Sequence, residues 1–468
     1  MPITVKLTEA GKFDGTILYP SIATGATTLT GTPEEAGEIV QINGVYVVSL
    51  GKKEKLTNET LRRIGGSIAK WMARFQVNDC AVQLEPILKT GISPLPAVQA
   101  LTEGLVLGNF KFDKYLATKK STVLSVQLLA AGVDAHSSLE GAVASASITA
   151  EAVNLARELS HEPPNVINPQ TISDLAMQLA TQYGLTYREI DSKELEKMGA
   201  GAIVAVGKGS LTPSRLIILE HNLKDGQKPV VLVGKTLTMD TGGYSLKGTE
   251  NIITMKYDKT GGMVVLAAMV AVARLKLDTP VVGILAAAEN MISSKAYRPD
   301  DILTAMNGKT IEIISTDAEG RLVLADALTY AERTYTPQAL IDIATLTGAV
   351  SIALGDNRAG LLSNNDTLAQ KLYESGEFTY ERVWRLPLDT EYFEQIKGTD
   401  SDIKNSGGRK AGTIIGGMFL QQFISEDVPW AHLDIAGMMM AEKEMPYCPK
   451  GGMGFGVRLF LDYLKNIS

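Results

Sequence analysis

The sequence predicts an α/β protein: a small amino-terminal α/β domain joined by a long helix to a larger α/β domain, whose mostly parallel mixed sheet is covered by helices. Three observations predict it. The 468 residues exceed one domain of about 150 residues and suit two or three. A long alanine-rich stretch with no Pro, and no Gly after Gly141, runs up to Pro163-Pro164, a pair that stops a helix. Beyond it, short runs that are apolar on both faces alternate with helical ones, as in a parallel sheet buried between helices.

Taken in order, residues 45–50, 80–84 and 122–129 are β-branched or apolar and read as strands, while residues 61–75 carry apolar positions at helical spacing. They form the first domain, residues 1–150, and the boundary lies on the linking helix at 137–160. Strand candidates at 215–219, 230–233, 281–287 and 339–344, with helix candidates at 262–275 and 318–333, make up the second, residues 151–468. No internal repeat or long linker interrupts them.

Composition narrows the function. With 45% hydrophobic and 21% charged residues, the chain can bury a large core, which excludes disordered and fibrous classes. A net charge of −7 gives no reason to expect a nucleic-acid or anionic-membrane partner. The two cysteines, Cys80 and Cys448, have no CxxC partner, so a disulfide framework or a cysteine-rich zinc site is not expected. Residues 1–10 lack the basic and apolar segments of a secretory signal, and no apolar stretch reaches the ~18 residues that span a bilayer. The expected compartment is the cytoplasm.

In an open α/β sheet, ligands gather at the carboxyl ends of strands. Three such places hold polar residues here: Lys235, Asp240 and Lys247 in a glycine-rich loop after the strand at 230–233; Asp258, just before an apolar helix; and Asp317, Glu319 and Arg321, between a strand-like 310–314 and a helical 322–333. Taken singly, Asp258 and Asp317 read as helix caps, Lys235 as a surface lysine, Gly242-Gly243 as a turn and Arg321 as half of a surface ion pair. Jointly, four acids and three bases at strand ends or helix starts of one domain point to a shared pocket. Clustered carboxylates repel unless cations are present, and oxygen ligands with one lysine nitrogen suit Mg²⁺, Mn²⁺ or Zn²⁺. A metal pair would equip such a pocket for hydrolysis. Rival chemistries lack their motifs: there is no GxxxxGK[ST], GxSxG or HExxH. His136, His161, His221 and His432 show no ligand spacing, and His432, in an apolar run, reads as a hydrogen-bonded core histidine.

Ser315-Thr316-Asp317-Ala318-Glu319-Gly320-Arg321-Leu322 resembles the Asn-Thr-Asp-Ala-Glu-Gly-Arg-Leu signature of the leucyl (cytosol) aminopeptidases. The loop from Lys235 to Lys247, Met255-Lys256-Tyr257-Asp258, Ala344-Thr345-Leu346-Thr347-Gly348 and His432-Leu433-Asp434-Ile435-Ala436-Gly437 are similar to that family in order and spacing. The resemblance covers roughly residue 150 to the end. It implies two divalent ions per subunit, Zn²⁺ or Mn²⁺ with Mg²⁺ or Co²⁺ as alternatives, held by Lys235, Asp240, Asp258, Asp317 and Glu319. It further implies a metal-activated water, Lys247 as electrophile, and a bicarbonate held by Arg321 as general base. Met255, Thr345, Leu346, Gly348, Ala436 and Met439 would line a pocket for an apolar amino-terminal side chain. The implied substrate is a short peptide with a free amino terminus, and the implied assembly is a homohexamer whose amino-terminal domain aids oligomerisation. The chain departs from the family at Thr236, Met239 and Lys259, where Gly, Phe and Met are usual. Lys259 puts a cation beside a metal ligand unless its side chain turns away. Two rival readings stand beside the peptidase: a DNA-associated regulator, disfavoured by the acidic composition, and a relative that has lost catalysis, disfavoured by the intact ligand set.

Overall fold

The alanine-rich stretch folds as one helix, His136–His161, and the two prolines end it. The computed structural model describes residues 3–9, 11–23, 29–119, 123–130 and 136–467. They form two units, Met1–Asn154 with Ala441–Lys450, and Leu155–Met440 with Gly451–Ser468. The division falls within the long helix, and a short segment from far along the chain groups with the first unit.

The first unit holds β1 (Ile3–Glu9), β2 (Thr16–Ser21), β3 (Ile39–Ile42), β4 (Val45–Ser49), β5 (Asp79–Gln83) and β6 (Leu124–Ala130) in one sheet, ordered β1-β6-β5-β2-β4-β3. Thr122 of the predicted strand lies outside the described residues. Every pairing is parallel except the β3–β4 hairpin. That hairpin turns through Asn43 and Gly44, both at positive φ (50° and 84°), the conformation an Asn-Gly pair adopts most readily between twisted antiparallel strands. The helix Asn58–Phe75 opens on a capping box at Thr57 and Thr60, which satisfies its first free N–H groups.

The second unit is built on eight strands: β7 (Thr186–Ile190), β8 (Arg215–His221), β9 (Val230–Asp240), β10 (Val281–Asn290), β13 (Ala339–Ala344), β14 (Ala359–Ser363), β15 (Val383–Arg385) and β17 (Trp430–Asp434). A separate small sheet holds β11 (Ile302–Thr304), β12 (Thr310–Glu312) and β16 (Ile403–Lys404). The main order is β15-β14-β17-β13-β9-β10-β8-β7. Its centre, β17-β13-β9-β10, is parallel, and β14 and β8 run antiparallel to it on either side. The sheet is therefore mixed, with a parallel heart.

Helices cover both faces of that heart. Thr260–Leu275 packs Gly262 against Gly234 and Met269 against Gly283. Gly320–Tyr335 shares a core with Val231, Val233, Val282 and Ile284 on the other, as the alternation of side chains along a strand requires. Polar contacts at Asp326 help hold this second layer together. Buried Asp326 accepts the backbone N–H of Ile203 (2.8 Å) and of Met306 (2.7 Å), capping the helix Gly201–Gly207 from a distant part of the chain. Asp326→Ala leaves both donors buried and unmet, and should lower stability by about 2–4 kcal/mol; a urea-unfolding shift below about 1 kcal/mol contradicts this role.

The strand lengths position the site. β9 pairs with β13 only as far as Gly234 opposite Ile343, so Lys235 to Asp240 run past the end of β13. Lys235, Thr236, Leu237 and Asp240 stay paired to β10, where a register shift between Ala288 and Asn290 sets Asn290 opposite Asp240.

Candidate metal centre

Asp258 and Asp317 are not helix caps. The N-cap positions of the helices that follow them are Lys259 and Glu319, and neither makes a side-chain capping bond. The two acids face the end of β9 instead. Lys235 Nζ lies 2.7 Å from Asp258 Oδ1, 3.0 Å from Glu319 Oε1 and 2.9 Å from the carbonyl of Thr345. Lys247 Nζ lies 2.8 Å from Asp240 Oδ2 and also pairs with Asp317. Oxygens of Asp240, Asp317 and Glu319 all fall within 4.8 Å of one another. Lys235, Asp240, Asp258, Glu319 and Arg321 are buried. The structure thus gathers all seven of the predicted charged residues at one end of the sheet.

Local sequence makes this approach sterically feasible. A Cβ on Gly320 would lie 2.5 Å from Lys235 Cε, so a residue without a side chain lets the lysine reach Glu319. Gly242, at φ +85°, turns the chain sharply after Asp240, and its N–H donates to Asp240 Oδ1 (2.9 Å).

Four carboxylates face two ammonium groups here, so acid charge is in excess. Burial, reinforced by Asp240, pushes the Glu319 carboxyl up to about 8, and burial raises Asp258 and Asp317. For the lysines, burial works against the charge, yet the neighbouring carboxylates outweigh it and hold Lys235 and Lys247 above the ordinary range. Two buried oxygens, Asp258 Oδ2 and Glu319 Oε2, have no hydrogen-bond partner among the described residues. Arg321 donates from Nη1 to the carbonyl of Asn405 (2.8 Å), while its buried Nε has no partner among those residues. Burial lowers its guanidinium to about 10.

Of the predicted pocket residues, Thr345 and Met255 sit beside this cluster. Thr345 donates its hydroxyl to Asp258 Oδ1 (2.6 Å), and Met255 begins the turn that carries Asp258. The Asp434 carboxylate draws together the N–H groups of Leu346 (3.1 Å) and Ala436 (3.2 Å) and the Thr347 hydroxyl (2.6 Å). Gly348 starts the next helix, and Met439 follows the turn Ala436–Met438. Lys259 turns away from the acids: its Nζ meets the carbonyls of Ser160, Glu162 and Lys256.

Two buried polar residues, one of them at the centre, escaped the sequence reading. Asn290 Nδ2 donates to Asp240 Oδ1 (2.8 Å) and to the Thr316 carbonyl (3.0 Å). It is a polar residue at a strand's carboxyl end, the rule that found the others. Asp342 had no such signal, because it lies inside β13 and accepts from Trp430 Nε1 (2.8 Å) and pairs with His432 Nδ1 (2.5 Å). His432 is a core histidine at that nitrogen, whereas its Nε2 has no partner among the described residues. The His136 side chain lies outside the described residues.

The catalytic-domain model of the cytosol aminopeptidase family matches residues 154–461, and its amino-terminal domain model matches residues 24–119. The chain belongs to the cytosol aminopeptidase family. It is accordingly a peptide-bond hydrolase acting at amino termini, and a metal-dependent one. The aminopeptidase is 44% identical to a probable cytosol aminopeptidase of Aquifex aeolicus, over 91% of this chain and 85% of that protein. A probable cytosol aminopeptidase of Cenarchaeum symbiosum is 43% identical, over 94% and 89%. Among solved structures, the bottromycin maturation enzyme BotP in complex with Mn is similar at 32% identity, with a TM-score of 0.89 over 97% of this chain and 99% of that one. The two-domain α/β architecture is shared across that length. Among the described residues no helix is long and apolar enough to cross a membrane.

Proposed function

We propose that this aminopeptidase removes apolar amino-terminal residues, Leu and Met foremost, from short peptides, using two divalent ions held by Lys235, Asp240, Asp258, Asp317 and Glu319. One observation carries the reading: four carboxylates, three of them buried, converge at one sheet end, with Asp258 Oδ2 and Glu319 Oε2 unpartnered among the described residues. Buried acid oxygens without donors are unfavourable unless cations meet them, and an all-oxygen set with one amine fits divalent ions. When bound, such ions lower the pKa of water and polarise a carbonyl. The Mn complex of BotP supports Mn²⁺ as one occupant, with Zn²⁺, Co²⁺ and Mg²⁺ as alternatives.

The chain's own residues supply the rest. Lys247, kept charged by Asp240 and the neighbouring acids, presents its ammonium to the oxygen that gains charge as the peptide carbonyl is attacked. The substrate's free amino group would be held by the ion near Asp258, which selects unblocked peptides. Arg321, with a buried Nε lacking a partner among the described residues, fits a small oxyanion, and a bicarbonate held there would supply a general base. Met255, Leu346, Gly348, Ala436 and Met439 give the side-chain pocket its apolar lining, together with Thr345, whose hydroxyl is engaged by Asp258. The family name supports a cytoplasmic location, and the homohexamer rests on the resemblance alone.

The test follows hydrolysis of leucine p-nitroanilide and of a Leu-initiated peptide before chelation, after it, and with Mn²⁺, Zn²⁺, Co²⁺ or Mg²⁺ restored. Activity should vanish on chelation, return with metal, and be absent for the amino-acetylated peptide. Metal affinity should also fall as pH is lowered, because nitrogen ligation needs Lys235 without the proton that it holds among its three acceptors. A folded protein that turns over neither substrate with any of these ions overturns the reading.

A further inference from the structure

We propose that Lys259 is a positioning residue for the Asp258 half of the metal site, fixing the turn that carries Asp258 to the carboxyl end of the helix His136–His161. This step rests on the metal-site reading above.

The helix end needs partners. The last carbonyls of a helix have no intrahelical donor and are commonly met by backbone N–H groups just beyond it. Here Glu162 donates its N–H to the Glu158 carbonyl (3.2 Å), and the next two residues, Pro163 and Pro164, have no N–H to offer the remaining carbonyls. Lysine side chains fill that role. Lys259 Nζ donates to the carbonyls of Ser160 (3.1 Å) and Glu162 (2.8 Å), and Lys256 Nζ to that of His161 (2.8 Å). A cation at this end also suits the negative pole of the helix dipole.

The same contacts constrain the turn. Lys259 is fully buried and has three donors; its third acceptor is the carbonyl of Lys256, within its own turn. The turn, Met255–Lys259, is entered through Thr254 at φ +83°, a left-handed conformation that a β-branched residue resists. Such a turn holds its shape only if its surroundings fix it. Asp258 sits on it, one residue before Lys259. Its carboxylate is set from one side by Lys235 and Thr345, and its backbone is set from the other by the Lys259 tether.

Lys259→Met keeps an unbranched apolar stem, one atom shorter, but removes all three donors. The ion that depends on Asp258 should then bind about 10–100-fold more weakly, the usual effect of losing a group that orients a metal ligand, while the other ion is unaffected. The experiment titrates metal-free, full-length protein with Mn²⁺ against a chelating indicator, using Asp258→Asn to mark which ion depends on Asp258. Saturating Mn²⁺ should restore turnover to Lys259→Met and not to Asp258→Asn. Should the methionine variant fail to fold, Lys259→Gln, which keeps an amide donor, should weaken the same ion by a smaller factor. Both ions bound within twofold of wild type overturns the proposal, as does equal weakening of both, which marks general loosening. A wild-type chain that takes up only one ion overturns the two-metal reading instead.

Discussion

Glu319→Ala is expected to lower kcat/KM by more than about 10³-fold, beyond the loss of a single oxyanion donor, and to reduce bound metal below two ions per chain. Glu319 is where the two halves of the cluster meet. One oxygen lies 3.0 Å from Lys235, the other is buried without a partner among the described residues, and its side chain lies within ligand reach of Asp240 and Asp317. The isosteric Glu319→Gln should lose activity and metal alike, since charge is what the ions require. Its metal-free form gives a second readout. Burial and Asp240 raise the Glu319 carboxyl to about 8 in the folded chain, against about 4.3 when unfolded. A raised carboxyl contributes stability below the unfolded value, and that contribution is lost as pH rises through about 8. Metal-free wild type should therefore lose stability relative to Glu319→Gln across this window. Normal activity and metal content in folded Glu319→Ala would rule out the proposed ligand set.

Lys247→Ala should lower kcat by about 10²–10³-fold with a smaller change in KM, and both ions should remain bound. The pairing of effects is diagnostic. Removing a ligand weakens the metal, whereas removing Lys247 takes a positive charge from between Asp240 and Asp317 and leaves them at least as attractive to cations. Metal titration beside steady-state kinetics separates the two. A kcat within threefold of wild type, or loss of an ion, removes Lys247 from the role of electrophile.

Much of this centre was legible because its residues obey a local rule. Asp240, Asp258, Asp317 and Glu319 follow strands or precede helices whose apolar runs are evident in the sequence, and the parallel heart brings such ends together. Lys259 shows the limit of that rule. Its neighbour Asp258 faces the cluster while Lys259 faces the carbonyls of Ser160 and Glu162, nearly a hundred residues away. Asp342 shows the limit again: a carboxylate inside a central strand is tolerable only with Trp430 and His432 opposite it, and no local pattern announces those partners.

The sequence by itself determined the α/β class, the strands β8, β9, β10 and β13, the long linking helix and the set of charged residues, because apolar periodicity and breaker residues act over a few positions. The tertiary structure alone decided that β14 and β8 flank the parallel strands in antiparallel sense, and that Ala441–Lys450 groups with the first unit. It also decided how the acids are held, through Asn290, Thr345 and Lys235. Each of those contacts joins residues distant in the chain, and their partners are chosen by which buried polar atoms can satisfy one another once the strands are in register.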